Sequence, residues 1–329
     1  MTKISSTSLH LYFKITSLIF YGFLCSCEST IEKIHDVSSK DFDLPYDLQK
    51  PQQKNYLEHS LQEISALSFS ANGQDLFCLN DEEGKTFLIE GISSDILEML
   101  PFGKKGDYEG IEIVNGDLYV LKSSGTLYLI DLNKQEIDKK YKSDLSKKND
   151  VEGLGFDHVD STLLLACKAQ AGMDEPIMDA RAVYAFDLKK KELISEPYLL
   201  ITDEMIEDFL ISNGPKIGDN LKEKAFVTNL FKRASYFAPS GIAVHPKTGH
   251  YYIISAVAKL LIVMDRNKKI LNISFLDSSI FSQPEGICFS NKGVLYIANE
   301  GVKSKASVCI FGDKIRKSSN QEEDFWIVQ

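Results

Sequence analysis

The sequence predicts an all-β fold, a β-propeller with five recognisable blades that are each a four-stranded antiparallel sheet. Three observations lead to this prediction: an internal repeat, hairpin turn signals within each repeat, and a change from apolar to polar strands along it. A repeat of roughly 40–50 residues is typical of propeller blades. The 329 residues are 43% hydrophobic and 26% charged, which is an ordinary globular composition with enough apolar material for a core.

The repeat shows in five short motifs that each place a small residue before an apolar run. They are "EISALSFS" from Glu63, "DYEGIEIV" from Asp107, "DVEGLGFD" from Asp150, "APSGIAVH" from Ala238 and "SQPEGICFS" from Ser282. Successive motifs are separated by 44, 43, 88 and 45 residues when they are aligned on the small residues Ala66, Gly110, Gly153, Gly241 and Gly286. The doubled interval predicts an insertion after the third blade, in the charged and helix-like segment 203–235.

Each motif is followed by the elements of a blade. Turn signals such as "ANGQD", "VNGD" and "SNKG" mark a hairpin, and two further apolar runs follow them, as in "LYVL" and "LYLID". A more polar fourth run, as in "IDKKYKS" from Ile137, predicts an outer strand that faces water. The last repeat lacks such a run, so we expect the N-terminal "KNYLEH" at Lys54–His59 to complete it and close the ring. A degenerate sixth blade, in the insertion or the C-terminal tail, stays open as an alternative.

Residues 1–26 are predicted to be a lipoprotein signal peptide. The apolar run from Ile15 to Leu24 is too short to span a bilayer easily, and it ends in Leu24-Cys25-Ser26-Cys27. This resembles a bacterial lipoprotein signal, in which the cysteine, here Cys27, is acylated and becomes the new N-terminus. A plain secretory signal and an uncleaved anchor helix are the alternatives. The prediction places the protein in the cell envelope, held to the membrane by a lipid on Cys27.

The rest of the chain is then divided into residues 27–50, a flexible tether, and residues 51–329, the propeller domain. Four cysteines remain beyond Cys27, each inside an apolar run and without the spacing of a metal site: Cys78, Cys167, Cys288 and Cys309. We expect buried free thiols. No disulfide is expected between Cys288 and Cys309, because they fall on the first and third strands of one blade.

Charge and histidine placement exclude several classes of function. The net charge of −10 argues against nucleic-acid binding, which needs clustered Lys and Arg. His158, His245 and His250 fall in or beside hairpins that join the first and second strands, on the face opposite the motif glutamates. The sequence shows no Ser-His-Asp arrangement and no H-E-x-x-H motif. Hydrolysis would therefore have to be metal-assisted, with a carboxylate base.

The residue before each small residue is predicted to begin the innermost strand of its blade. These five residues should form a ring at one mouth of the central channel: Ser65, Glu109, Glu152, Ser240 and Glu285. The second strands return to the same mouth and should add Asn80, Asp81, Lys122, Lys168, Ser255, Asn299 and Glu300, and the long loop after Lys168 should add Arg181. Three converging carboxylates repel one another, and hard oxygen ligands of this kind suit Ca²⁺. The predicted metal ligands are Glu109, Glu152, Glu285, Ser240 and Asn299. The alternative is that the glutamates only join neighbouring blades, with Lys122 and Lys168 neutralising them.

Several motifs together resemble one known family. They are "SLQEISALSF", "YEGIE", "DVEGLGFD", "HPKTGHYY" and "QPEGICF…GVLYIANEG", after a lipoprotein start, and they extend from about Leu61 to Gly301. This combination resembles the SdiA-regulated (YjiK-like) β-propeller family of bacterial envelope proteins. The resemblance implies a secreted or membrane-anchored propeller and no established activity. At the level of the fold, such proteins are similar to calcium-dependent lactonases and phosphoesterases, which is analogy alone.

Three functional hypotheses follow. The first is a non-enzymatic envelope lipoprotein that binds a small molecule or an envelope protein at the channel mouth, around a Ca²⁺ ion. The second is a Ca²⁺-dependent hydrolase of lactone or phosphate esters, with the three ring glutamates as metal ligands. The third is an interaction scaffold in which the ring is purely structural.

Overall fold

The chain folds into five antiparallel sheets arranged as a propeller in a computed structural model that describes residues 35–214, 221–302 and 304–314. Two short strands come before the first blade, β1 (Asp36–Ser38) and β2 (Gln53–Tyr56). Blade 1 consists of β3 (Ile64–Phe69), β4 (Asp75–Asn80), β5 (Lys85–Glu90) and β6 (Ile96–Pro101). Blade 2 consists of β7 (Tyr108–Val114), β8 (Asp117–Lys122), β9 (Leu127–Asp131) and β10 (Glu136–Tyr141).

Blades 3 and 4 each carry a fifth strand, and blade 5 takes its fourth strand from the N-terminal segment. Blade 3 has β11 (Val151–Asp157), β12 (Thr162–Cys167) and β13 (Ala180–Asp187), and both β14 (Glu192–Leu193) and β15 (Leu199–Thr202) pair with β13. Blade 4 has β16 (Gly241–Val244), β17 (Tyr251–Ser255), β18 (Leu260–Met264) and β19 (Ile270–Phe275), with β1 as a fifth strand. Blade 5 has β20 (Pro284–Phe289), β21 (Leu295–Asn299) and β22 (Ser307–Phe311), and β2 completes it. The predicted five-bladed fold and its closure by an N-terminal strand are therefore confirmed.

The turn between β7 and β8 shows how the local sequence forms a blade. Val114 pairs with Asp117, so only two residues make the turn, and both have positive φ angles, 52° at Asn115 and 88° at Gly116. Two consecutive positive φ angles are the signature of a type I′ turn, whose twist matches that of the flanking strands. The Asn-Gly pair that marked a hairpin in the sequence therefore makes one.

The insertion after blade 3 forms two helices, α1 (Asp203–Asn213) and α2 (Leu221–Ala234), as the sequence predicts. The hydroxyl of Thr202 caps α1 by accepting a hydrogen bond from the Met205 amide at 3.1 Å. The helices bury Phe209, Leu210 and Leu230 in an apolar layer that also contains residues of blades 3 and 4. They therefore pack against the blade boundary at which they are inserted, and they add no sixth blade.

The predicted tether over residues 27–50 is wrong for the part that the structure describes. Strand β1 pairs with β19, and Leu44 and Tyr46 are each only 1% exposed in the apolar layer between blades 4 and 5. The Tyr46 hydroxyl also donates to the Gly293 carbonyl at 2.7 Å. Alternate apolar side chains in a mostly polar segment are enough to bury it, because the adjoining blades supply the rest of the apolar layer.

The predictions for the extreme N-terminus lie outside the described residues. These are the signal peptide over residues 1–26, the lipid on Cys27 and the first part of the tether. No helix in the ranges that the structure describes is both long and apolar enough to cross a membrane.

The four cysteines in the blades are free and buried, as predicted. Cys288 lies on β20 and Cys309 on β22, with β21 between them. The spacing of a sheet keeps first and third strands roughly 9–10 Å apart, beyond the reach of a disulfide.

Candidate functional site

The five innermost strands surround the propeller axis. Each contacts the next in the order β3, β7, β11, β16 and β20, and β20 contacts β3 again. They enclose a cavity of about 10 Å³, which is close to the space that one water molecule requires. The five residues that the sequence places in a ring all line this cavity: Ser65, Glu109, Glu152, Ser240 and Glu285. We call this end of the channel, lined by these five residues, the glutamate mouth.

A β-bulge sets the direction of the ring residue in four of the five blades. In blade 1, Ile64 pairs with Asn80 and Ala66 with Leu79, which leaves Ser65 as the extra residue. The same shift of register falls at Glu109, Glu152 and Glu285. In blade 4 the Ser240 amide donates to the Ile254 carbonyl at 2.9 Å, and Gly241 pairs with the same residue. Bulges of this kind redirect a side chain, so all five point into the cavity rather than across the blade. The predicted position as first strand residue is therefore corrected to the bulged position in four blades.

The small residue that follows each ring residue is required by the close approach of neighbouring blades. A Cβ atom on Gly241 would lie 2.6 Å from the carbonyl oxygen of Glu285 in the next blade. A Cβ atom on Gly110 would lie 2.5 Å from the Cβ atom of Leu154, again in the next blade. A side chain at either position would push the blades apart at the axis.

The two serines of the ring hold neighbouring blades together. The Ser65 hydroxyl donates to the Tyr108 carbonyl of blade 2 at 3.0 Å. The Ser240 hydroxyl donates to the Pro284 carbonyl of blade 5 at 2.7 Å and accepts from the Ala256 amide at 3.1 Å. These contacts engage Ser240, a predicted metal ligand, in joining blades 4 and 5.

The three ring glutamates differ in the charges around them. Burial, followed by the nearby carboxylates of Glu152 and Asp107, raises the pKa of Glu109 to about 9 from its ordinary value of 4.5. Burial and the charge of Glu285 raise the pKa of Glu152 to about 8, although Lys168 opposes this shift. Burial also raises the pKa of Glu285 to about 7, with Lys168 again opposing the shift. All three carboxyls are thus costly to ionise in this cavity.

Lys168 forms an ion pair with one ring glutamate. Its Nζ lies 2.5 Å from Oε1 of Glu152, whose side chain is almost completely buried. Among the described residues, Oε2 of the same carboxylate is a buried atom without a hydrogen-bond partner. A buried oxygen of this kind is costly unless something donates to it or coordinates it. Glu152 therefore has one satisfied oxygen and one that is open to a further partner.

The structure does not bring every predicted metal ligand to the cavity. Asn299 is fully buried at the end of β21, where its Nδ2 faces the sulfur of Cys309 at 3.7 Å, and it does not line the cavity. Within the described ranges, no three His, Cys, Asp or Glu side chains are already gathered closely enough to hold a metal ion. The glutamates influence one another electrostatically across the cavity, but they do not meet at one point.

Other predicted mouth residues stabilise the loops around the ring. Asn80 Oδ1 accepts a hydrogen bond from the Glu82 amide at 3.0 Å. The Ser255 hydroxyl accepts from the amides of Ala238 and Ala258 at 3.1 and 3.2 Å. The Lys122 ammonium lies 5.1 Å from the centre of the Tyr108 ring rather than against a glutamate. These three residues therefore have structural contacts in place of the predicted contact with a ligand or a ring carboxylate.

Three charged residues of the mouth have contacts that leave them available to a ligand. Burial raises the pKa of Asp81 to about 6, and its Oδ1 is one of the buried oxygens without a partner in the described residues. Arg181 donates through Nη1 to the Ala180 carbonyl at 2.9 Å, whereas its Nε is buried without a partner in that same part of the chain. Glu300 accepts from the amide of Gln283, and burial raises its pKa.

Sequence reasoning missed Lys259 and Gln283. Lys259 lies at the end of the loop that leads into β18, and its Nζ donates to the Ser282 carbonyl at 2.6 Å. Its positive charge acts on Glu285 and on Glu300. The topological rule that identified Lys122 and Lys168 also covers Lys259, because the loop between second and third strands returns to this mouth. Gln283 gives no such signal, because nothing in the neighbouring sequence shows that its side-chain amide donates to two carboxylates.

A fourth carboxyl on the inner strands lies outside the lining of the cavity. Glu112, three residues after Glu109 on β7, accepts hydrogen bonds from the Ser68 hydroxyl at 2.6 Å and from the Ile113 amide at 3.2 Å. Burial raises its pKa to about 7, although hydrogen bonds from Ser68 and from the backbone of Ile113 and Phe156 oppose the shift. Its donors come from blades 1, 2 and 3, so this carboxyl joins three neighbouring blades.

The comparison with protein families agrees with the motifs. The sequence model of the SdiA-regulated family matches residues 213–302, which confirms the resemblance to that family. The matched segment runs from the end of α1 through blade 4 to the loop after β21, and it includes Ser240, Glu285 and Glu300. No curated protein matches the chain.

Solved structures similar to this chain include three matches of low identity. A streptogramin B lyase is 11% identical over 76% of this chain and 65% of that chain, with a TM-score of 0.40. Hydrazine synthase of Kuenenia stuttgartiensis is 13% identical over 75% and 82%, with a TM-score of 0.43. A luciferin-regenerating enzyme is 10% identical over 76% and 91%, with a TM-score of 0.43. The chain spans less than two thirds of the lyase, and none of these similarities carries an argument about activity.

Proposed function

We propose that this propeller is an envelope-anchored binding protein that holds a small molecule or a protein partner at the glutamate mouth, around a Ca²⁺ ion. The observation that carries the proposal is the charge of the ring. Three buried carboxyls share one small cavity, and Lys168 is the one ammonium in the described residues that forms an ion pair with any of them. A divalent cation would offset the burial and the repulsion that raise their pKa values.

The chemistry of the ring fits Ca²⁺ in kind, because its ligands would all be hard oxygens. Glu109, Glu152 and Glu285 are the residues that would hold the ion, and the unpartnered Oε2 of Glu152 supports this assignment. Ser240 and Asn299 are left out, since the hydroxyl of Ser240 joins two blades and Asn299 lies outside the cavity. Oxygens of the bound partner or of water would complete the coordination. Binding of the metal and binding of the ligand would then depend on each other.

Exposed apolar side chains around the mouth support a partner of some size. The loops on this face present Met178, Tyr236, Val257 and Val302, which are all more than half exposed. Apolar side chains that surround a charged centre are typical of a surface that binds another molecule. The Leu24-Cys25-Ser26-Cys27 segment supports attachment of this surface to a membrane through a lipid on Cys27. No observation on the described residues favours the hydrolase over the binding protein.

The experiment is a thermal denaturation series with Ca²⁺ and with a chelator. An ion that binds only the folded ring stabilises it by mass action, so chelation should lower the Tm of the wild type. Glu285→Gln should weaken this response, whereas Glu98→Gln, an exposed residue on β6, should leave it unchanged. A wild-type Tm that is the same in Ca²⁺ and in chelator would contradict the metal and leave the scaffold hypothesis.

A further inference from the structure

A second cavity at the glutamate mouth lies beside the channel rather than in it. It is a groove of about 530 Å³ between the loop that joins β19 to β20 and the loop that joins β21 to β22. The C-terminal end of β2 forms its outer wall. Its volume falls within the range of sites that bind small organic ligands, whereas the channel cavity of about 10 Å³ does not.

The lining of the groove differs chemically from the ring. It combines the exposed ring of Tyr56 and the exposed side chain of Val302 with serine hydroxyls and the amide of Gln283. Among the described residues that line it, Lys54 is the one that is charged, and none is a carboxylate. In a protein of net charge −10, a groove whose described lining has no acidic side chain is a distinct environment.

Hydrogen bonds hold the walls of the groove in place. Lys54 Nζ donates to the Ile280 carbonyl at 2.9 Å, and it lies 5.8 Å from the centre of the Tyr56 ring. The Ser282 hydroxyl donates to the Glu300 carbonyl at 3.0 Å. The groove is thus largely formed before any ligand arrives, which lowers the entropy cost of binding.

We propose that this groove binds a carbohydrate of one or two sugar rings. A sugar presents hydroxyls at its edge and a C–H surface on its face, and the groove offers a partner for each. The ring of Tyr56, a residue that is 64% exposed, can pack against the C–H face. The serines and Gln283 can exchange hydrogen bonds with the hydroxyls. A neutral ligand also suits a site in which the one ammonium among the described lining residues, that of Lys54, already donates to a carbonyl.

This inference goes beyond the binding function proposed for the ring, and it does not depend on Ca²⁺. The groove and the ring are nevertheless connected, because Gln283 lines the groove and also donates to Glu300 at the mouth. A sugar that engages the Gln283 amide would compete with this hydrogen bond.

The test is isothermal titration calorimetry of the purified full chain with N,N′-diacetylchitobiose and with cellobiose as probes. We expect saturable binding of at least one disaccharide with a Kd of about 1 mM or tighter. Tyr56→Ala should weaken it about tenfold, because the stacking surface is lost, and Tyr56→Phe should retain it. Tyr236→Ala removes another exposed tyrosine of the same face, outside the groove, and should leave the affinity unchanged.

Two results would overturn the carbohydrate site. One is the absence of saturable binding by both probes up to about 10 mM, at a ligand concentration well above the expected Kd. The other is binding that Tyr56→Ala leaves unaltered. Each titration is repeated with chelator, where affinity should not change. This arm separates the groove from the ring, because failure of the Ca²⁺ proposal would leave the sugar affinity intact.

Discussion

Lys168 Nζ lies 2.5 Å from Oε1 of Glu152, while Oε2 of the same carboxylate has no hydrogen-bond partner in the part of the chain that the structure describes. Burial by itself would lower the pKa of Lys168, but the charge and hydrogen bond of Glu152, together with the charges of Glu285 and Asp150, outweigh burial and raise it. The pKa of Glu109 is the highest in the ring, and after burial it is the charges of Glu152 and Asp107 that raise it. Lys168 therefore reduces the cost of ionising Glu152, but all three ring carboxyls remain costly to ionise.

The first prediction concerns the pH dependence of stability. The folded-state pKa values of Glu109, Glu152, Glu285 and Glu112 are raised from 4.5 to about 9, 8, 7 and 7. A raised carboxyl pKa means that the folded state binds protons more tightly than the unfolded state. The contribution of such a carboxyl to the free energy of unfolding is therefore complete below about pH 4.5, and it is lost as the pH rises through the pKa of the folded state. We expect the free energy of unfolding, measured by denaturant titration in chelator, to fall between about pH 5 and pH 9. A free energy of unfolding that rises across that pH range would contradict the prediction.

The second prediction compares two ring variants at about pH 8 in chelator. Glu109→Gln keeps the shape and removes a carboxyl that burial makes costly, so the Tm should rise, with a gain of about 2 kcal/mol in stability. Glu152→Gln removes a similar cost but leaves the Lys168 ammonium without its carboxylate, so the gain should be smaller or negative. Glu98→Gln, which is exposed, serves as the control for a change of one charge. Equal effects of the two ring variants would show that the Lys168 contact has no energetic consequence.

The third prediction concerns the joining of blades 4 and 5. Ser240→Ala removes the donor to the Pro284 carbonyl, and this leaves a buried acceptor without its partner. The free energy of unfolding should decrease by about 1–2 kcal/mol. Ser278→Ala, an exposed serine in the loop before β20, should change it very little. Chemical denaturation of the two variants side by side checks the difference, and equal midpoints would exclude a stabilising role for the Ser240 hydroxyl.

The fourth prediction concerns the membrane anchor. If Cys27 carries the lipid, Cys27→Ala should remove the protein from the membrane fraction of expressing bacteria while the Tm of the propeller stays unchanged. The two readouts are independent, because residue 27 precedes every element of the propeller that the structure describes. Membrane association of the variant at the wild-type level would contradict the lipoprotein prediction.

The local sequence pattern was sufficient to predict the propeller and the residues of its ring. The motif spacing located five inner strands, and the hairpin turns in each repeat oriented them. Residues at the same register of equivalent strands must reach the same end of the channel. For this reason Ser65, Glu109, Glu152, Ser240 and Glu285 could be grouped before any contact was known.

The contacts of the ring residues, in contrast, are set by the packing of blades whose residues lie far apart in sequence. The Ser240 hydroxyl meets a carbonyl 44 residues away, Lys259 acts on Glu285 from another blade, and Tyr46 reaches Gly293 across 247 positions. Such partners are set by how closely two blades approach at the axis and by which apolar surfaces remain uncovered. These are properties of the packed ring, and no periodicity within a single repeat encodes them.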